Sequence, residues 1–209
     1  MKARARVSRR QALVGGAVVA TSWVAPTVLR LDRVAAATPS GPYSLVYSED
    51  FEGAIGVPNM ASWNFITTSN PVPDRTILGR FTNENVALTM RLPPHQCVRI
   101  CFDLYVNDSW DGSHPVYGGP DMWGFAIDGV TQWNEEYTTS NAPAGGTIIE
   151  GPAQLWYWTG PPFAVDRVIQ YCVEVDHSTS DILFNFFGSG LQAVNDESWG
   201  LDNVEVFVA

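Results

Sequence analysis

Hydrophobic and polar positions alternate along much of the chain. From Cys97 to Val106, Val98, Ile100, Phe102, Leu104 and Val106 share one parity, and Cys97, Arg99, Cys101, Asp103 and Tyr105 share the other. Successive side chains of a strand point to opposite faces, so this run predicts a strand with one core face and one polar, aromatic face. Seven more runs rich in Val, Ile, Phe, Tyr and Thr, bounded by Gly, Pro, Asn or Asp, predict strands at Ser44–Phe51, Val86–Leu92, Met122–Ile127, Thr131–Thr138, Val168–Asp176, Ile182–Phe187 and Leu201–Val208. Helical periodicity is almost absent. Eight short strands with turn-rich connections predict an all-β fold, a two-sheet antiparallel β-sandwich of the jelly-roll type. One stretch breaks the pattern. Asn141–Pro162 carries Ala144-Gly145-Gly146, Trp156-Tyr157-Trp158 and Gly160-Pro161-Pro162, and predicts a long loop with an aromatic centre. Trp156 and Trp158 are placed there either to stack on a ligand or to fold back as a lid.

The first residues follow a different logic. Lys2, Arg4, Arg6, Arg9 and Arg10 precede an apolar run, Ala12 to Val28, and Ala35-Ala36-Ala37 forms a small-residue cleavage pattern. This predicts a signal peptide over residues 1–37 and a single β-sandwich domain over 38–209. Ser8-Arg9-Arg10-Gln11-Ala12-Leu13 resembles a twin-arginine export signal. A membrane anchor is the alternative. The run is near the lower length limit for a span and is interrupted by Trp23 and Pro26, which favours cleavage, a secreted product and no membrane attachment afterwards.

Cleavage sharpens the charge. It leaves 172 residues with five arginines, no lysine and 21 acids, a net charge of −16. Such a surface argues against nucleic acid or anionic lipid as partner and favours divalent cations or neutral ligands. Three cysteines remain, Cys97, Cys101 and Cys172. Cys97 and Cys101 are four residues apart on one extended strand, ~13 Å, too far to pair. In jelly-roll order the third and sixth strands are neighbours, which favours Cys101 with Cys172. Three buried thiols is the open alternative.

Two acid-and-tryptophan stretches carry the candidate chemistry. Asn107-Asp108-Ser109-Trp110-Asp111-Gly112 with Gly119-Pro120-Asp121-Met122-Trp123-Gly124 is one, and Asp196-Glu197-Ser198-Trp199-Gly200-Leu201-Asp202-Asn203-Val204 is the other. Ca²⁺ takes six to eight oxygens from carboxylates, amides, carbonyls and water. Asn107, Asp108, Asp111 and Asp121 offer such oxygens around a glycine-bearing loop, and clustered carboxylates repel unless a cation or proton intervenes. Calcium is therefore the expected cofactor, with turn-capping as the alternative use of the same acids. An EF-hand is rejected, because Gly118 stands where its final Glu belongs and no helices flank the run. Trp110 and Trp123, with Asp111, are candidate ligand-binding residues, since their flat faces suit a sugar ring. Trp199, beside the last strand, is expected in the core.

Tyr47-Ser48-Glu49-Asp50-Phe51-Glu52-Gly53, Leu78-Gly79-Arg80-Phe81, Phe102-Asp103-Leu104-Tyr105, Gly188-Ser189-Gly190-Leu191-Gln192 and the two acid-and-tryptophan stretches, taken in order, resemble a group of uncharacterised bacterial extracellular domains. These are similar to jelly-roll, concanavalin A-like or carbohydrate-binding modules. The resemblance implies a structural Ca²⁺ joining an acid near the first strand, Glu52 or Asp50, to Asp202 of the last, and carbohydrate or another extracellular ligand as partner.

Catalysis has weaker signals. Glycosidases need two carboxyl groups flanking a bond. Glu174-Val175-Asp176 begins an alternating acid pattern, but His177 follows and the third acid is missing. Glu135 and Glu136 are adjacent and point to opposite faces. His95, His114 and His177 are far apart, without metal-ligand spacing. The leading expectation is a secreted, calcium-stabilised, non-catalytic sandwich that binds carbohydrate or another extracellular ligand. A structural or adhesive protein, and a glycan-degrading enzyme using Glu174 and Asp176, are the alternatives.

Overall fold

Alternating runs of this kind build twelve strands among the described residues. The computed structural model describes residues 42–55, 60–114, 116, 118–138, 145–153 and 166–209. The strands are β1 (Ser44–Glu49), β2 (Ala61–Trp63), β3 (Thr68–Val72), β4 (Arg75–Phe81), β5 (Asn85–Arg91), β6 (Cys97–Asp108), β7 (Met122–Ile127), β8 (Val130–Glu136), β9 (Thr147–Ala153), β10 (Asp166–Asp176), β11 (Asp181–Ser189) and β12 (Glu197–Val208). No helix occurs among the described residues.

A seven-stranded sheet has the order β3-β4-β12-β6-β10-β9, with β1 also paired to β12; a five-stranded sheet has the order β2-β5-β11-β7-β8. All pairings are antiparallel. With β2, β3, β4 and β9 set aside, the eight strands that match the predicted runs lie β1-β12-β6-β10 and β5-β11-β7-β8. Numbered one to eight along the chain, that order is 1-8-3-6 facing 2-7-4-5. The fold is a two-sheet antiparallel jelly-roll sandwich.

Parity decides which side chains meet between the sheets. Val98, Ile100, Phe102, Leu104 and Val106 of β6 join the main core, while Tyr105 lies on the outer face in a small separate cluster with Ile77 and Val168. Phe102 meets Phe186 of the opposing sheet at 5.1 Å between ring centroids, and Phe125 meets Phe186 at 4.9 Å. Each such buried ring contributes about 1.5–3 kcal/mol of hydrophobic stabilisation. On the outer face Cys101 is the register partner of Cys172, and the two are disulfide-bonded. Cys97 is a free, buried thiol.

The structure corrects the expected long loop. Thr147–Ala153 is a strand, β9, paired to the edge of β10. Its composition hid it: a Gly-Pro pair sits inside the run, which an edge strand tolerates because one side of its backbone needs no ladder partner. Residues 141–144 and 154–162 of that stretch, including Trp156 and Trp158, lie outside the described residues, as does the expected signal peptide over 1–37.

Candidate functional site

The two acid-and-tryptophan stretches converge at one end of the sandwich. Asp121 directly precedes β7 and keeps the parity of Trp123, Phe125 and Ile127; Glu197 opens β12 and keeps the parity of Trp199 and Leu201. Both acids thus occupy core-facing positions at strand ends, one on each sheet. Asp111, just past β6, forms an isolated bridge to Thr138. The carboxylates of Asp111, Asp121 and Glu197 each bring one oxygen within 4.8 Å of the others.

The connecting turns fit closely around these acids. Gly119 has φ 90°, and a Cβ there would lie 2.0 Å from the Gly112 carbonyl oxygen. Only glycine permits this backbone-on-backbone packing without strain. It presents the Asp111 and Gly112 N–H groups to Asp121 Oδ2, which accepts both at 2.7 and 2.8 Å. Glu197 Oε2 accepts from the Gln192 N–H at 2.9 Å. The remaining oxygens, Asp111 Oδ1, Asp121 Oδ1 and Glu197 Oε1, are buried and receive no hydrogen bond from the protein. Asp121 and Glu197 are both 0% exposed.

Electrostatics follows from that burial. Desolvation, then repulsion from Asp121, Asp111 and Asp196, pushes the Glu197 carboxyl up to about 8 against the pull of the Gln192 N–H. Desolvation also raises Asp121 and Asp111 above the ordinary carboxylate range. As bare anions these groups would repel in a medium of low dielectric.

Trp110 and Trp123 are not ligand-stacking surfaces. They are 1% and 0% exposed. Trp110 Nε1 donates to the Ser198 carbonyl at 3.1 Å and its ring meets Tyr137, while Trp123 packs on Tyr137 and Trp199. A large ring next to a loop still gains more from burial than from exposure when its parity or its indole N–H finds a place in the core. Trp110 and Trp123 are thus core residues, the first directly adjacent in sequence to Asp111 and the second close to Asp121, and the Trp123 indole N–H is buried without a protein acceptor.

Asp108 also departs from expectation. It adopts φ 70° and sets Oδ2 3.6 Å from Arg80, outside the three-acid group. Glu197 takes the place expected of it. Sequence reasoning missed Glu197 as a member of this group, although one signal was present: an acid two residues before Trp199 and four before Leu201 has the parity of the core.

Glu52 and Asp202, expected to share a cation, lie in a different place. Both line an open pocket of about 380 Å³ on the outer face of the larger sheet, together with Asp103, Asn203, Arg75 and Tyr105. Here the inner acids are partnered at both oxygens. Asp202 accepts from the Asn203 N–H at 2.8 Å and the Tyr105 hydroxyl at 3.3 Å; Asp103 accepts from the Asn203 and Gln170 side-chain amides at 2.8 and 3.5 Å. Glu52 Oε1 accepts from the Thr76 N–H at 2.7 Å. Among the described residues these acids form no group of three within metal-ligand range. Desolvation, with repulsion from Asp103 and Glu52, still pushes Asp202 up to about 7. Arg75 bonds Glu150 at 2.8 Å and lies 6.0 Å over the Tyr105 ring.

Two further groups were misjudged or isolated. His95 Nε2 is 2.7 Å from His177 Nδ1, because β6 and β10 pair Cys97 with Asp176 and bring the flanking residues together. Glu174 ion-pairs with Arg99 at 2.8 Å, and the neighbouring Tyr43 and Arg99 hold its carboxyl below the usual range.

No family model matches the chain, and no curated protein sequence matches it. Among solved structures, the dimeric latent PorU from Porphyromonas gingivalis aligns over 81% of this chain with a TM-score of 0.44 and 10% identity. This chain spans 13% of the length of that protein. A carbohydrate-binding module described for specific mannan recognition, TmCBM27, aligns over 81% of this chain and 99% of its own length, with a TM-score of 0.39 and 13% identity. Likeness this distant assigns neither family nor ligand.

Proposed function

We propose that the chain is an exported, non-catalytic β-sandwich that binds a neutral, hydroxyl-rich ligand, carbohydrate by class, in the outer-face pocket. The observation that carries the reading is the pocket itself, about 380 Å³, where carboxylates of Glu52, Asp103 and Asp202 and the Asn203 amide converge over the apolar Tyr105–Val168 patch. Its size falls in the range of small-ligand sites, and a few placed polar groups above an apolar floor are what such sites use. Carboxylate oxygens accept hydrogen bonds from hydroxyl groups, and the excess of acids over Arg75 disfavours anionic ligands.

Export is supported by the basic, then apolar, then small-residue order of 1–37. The glycan-degrading alternative built on Glu174 and Asp176 is disfavoured at Glu174: a general acid needs a raised pKa, and Tyr43 and Arg99 hold this carboxyl low.

Binding of neutral polysaccharides and of polyuronates to the full chain, measured by calorimetry, tests the reading. Neutral glycans bind and polyuronates do not. Absence of binding across neutral glycans of varied linkage would favour the structural or adhesive alternative, and hydrolysis products in the same mixtures would overturn the non-catalytic reading.

A further inference from the structure

The geometry points to a binding site for one hard divalent cation, Ca²⁺ by ligand class, formed by Asp111, Asp121 and Glu197 and tying the two sheets together at this end of the sandwich. It is independent of the ligand reading for the outer pocket. A cluster of acids alone would not carry it. Acids that only cap turns hold N–H groups with one oxygen and turn the other to water. Here Asp121 Oδ2 and Glu197 Oε2 do hold N–H groups, yet Asp121 Oδ1 and Glu197 Oε1 are buried with no protein donor, on residues that are 0% exposed. Asp111 Oδ1 is the third such oxygen, and one oxygen from each acid lies within 4.8 Å of the others. Buried acceptors left without donors are rare in native proteins and call for a partner.

The partner must be positive and must accept oxygen donors. All three ligands are carboxylates, which suit hard cations such as Ca²⁺, Mg²⁺ and Mn²⁺; Ca²⁺, with six to eight oxygens in flexible geometry, leaves positions for carbonyl oxygens or water. A proton is the competing counter-charge, and the raised Glu197 carboxyl would hold one when no cation is bound. A proton shared between Glu197 and Asp121 answers those two carboxyls but leaves Asp111 Oδ1 without a partner; a cation answers all three.

The placement gives the cation a structural role. Asp111 lies on the connection leaving β6, Asp121 on the residue entering β7, and Glu197 on the first residue of β12. β6 and β12 belong to the larger sheet and β7 to the smaller. A cation bound here crosslinks both layers and pins the turn through Gly112 and Gly119.

Chelator-stripped full-length protein titrated with CaCl₂ tests the inference by calorimetry and thermal unfolding. One equivalent binds, and at a hundredfold excess over Kd the unfolding temperature rises by roughly 5–10 °C. Tb³⁺ occupies the same site, its emission is excited through Trp110 beside Asp111, and Ca²⁺ displaces it. Glu197→Gln and Asp111→Asn each weaken Ca²⁺ binding at least tenfold, and Asp202→Asn does not. Asp111→Asn keeps the test open if Glu197→Gln fails to fold, because Asp111 is partly exposed. The inference is overturned by wild-type protein without a Ca²⁺-dependent heat or stability change, by unchanged affinity in Asp111→Asn, or by affinity lost in Asp202→Asn.

Discussion

Two of the groups of buried acids among the described residues solve the same problem differently. At the end of the sandwich Asp121 and Glu197 each keep one oxygen on backbone N–H groups and one oxygen that no protein group answers. On the outer face Asp103 and Asp202 are answered at both oxygens by Asn203, Gln170 and Tyr105. Burial lifts the carboxyls in both places. The difference lies in how the buried oxygens are partnered: three in the first group receive no protein hydrogen bond, and those of the second are held by protein donors. On the readings proposed above, the first would hold the sheets together and the second would receive a ligand.

The largest effect should separate the two regions by packing. Trp123→Ala, in the core close in sequence to Asp121, should cost about 3–5 kcal/mol in denaturant unfolding, as removal of a buried aromatic does. Ile149→Ala, at the pocket and 50% exposed, should stay within about 0.5 kcal/mol. Comparable costs would mean that the outer face is as integral to the core as the end of the sandwich. Next comes the cation. Ca²⁺ at a hundredfold excess over Kd should add about 2.7 kcal/mol to the native state, and a chelator should remove it. Asp202→Asn should show the same increment, since its carboxylate serves the other region; loss of the increment there would merge the two sites.

Legibility in the sequence divided along the same line. The strand that begins at Cys97 could be read because five apolar residues share one parity, and the neighbouring strands followed from similar runs. β4 was missed because Arg75–Phe81 carries Gly79 and two arginines, and β3 because Pro71 and Asn70 read as a turn. Asp111 and Asp121 were visible as oxygen donors within one loop. Glu197 was not, because it lies far along the chain and only jelly-roll order brings β12 beside β6. Trp110 and Trp123 were misjudged by their neighbours: acids and glycines beside them suggested a loop face, whereas the parity of Trp123 with Phe125 and Ile127 already pointed inward. Counting parity through the acids, and not only through the apolar residues, would have found both the buried tryptophan and the buried carboxylates.

A smaller effect tests the outer acids through pH. Asp202 is raised from its ordinary value to about 7 in the folded chain. A carboxyl raised on folding binds its proton more tightly in the native state, so its contribution to stability is full below the unfolded pKa of about 4 and is lost as pH rises through about 7. Cation-free wild-type protein should therefore lose stability over that window. In Asp202→Asn the loss should be shallower, by an amount reduced by water in the open pocket. Identical slopes would show that Asp202 titrates normally and that its partners, not burial, control it.

The smallest effect belongs to the pocket edge and bears most directly on its use. Glu52 is exposed, contacts the Thr76 N–H through Oε1, and lines the pocket. Glu52→Gln keeps a hydrogen-bonding side chain and removes a charge, so stability and the Ca²⁺ increment should be unchanged. If the pocket binds a neutral glycan through carboxylate acceptors, the loss of one charge-assisted bond should weaken binding by roughly 3- to 10-fold, the range of about 0.5–1.5 kcal/mol per net hydrogen bond. A variant that instead gains affinity for polyuronates without losing the neutral glycan would assign Glu52 to repelling anions. The end of the sandwich would be untouched in either case, because Glu52 is not a member of the Asp111, Asp121 and Glu197 group.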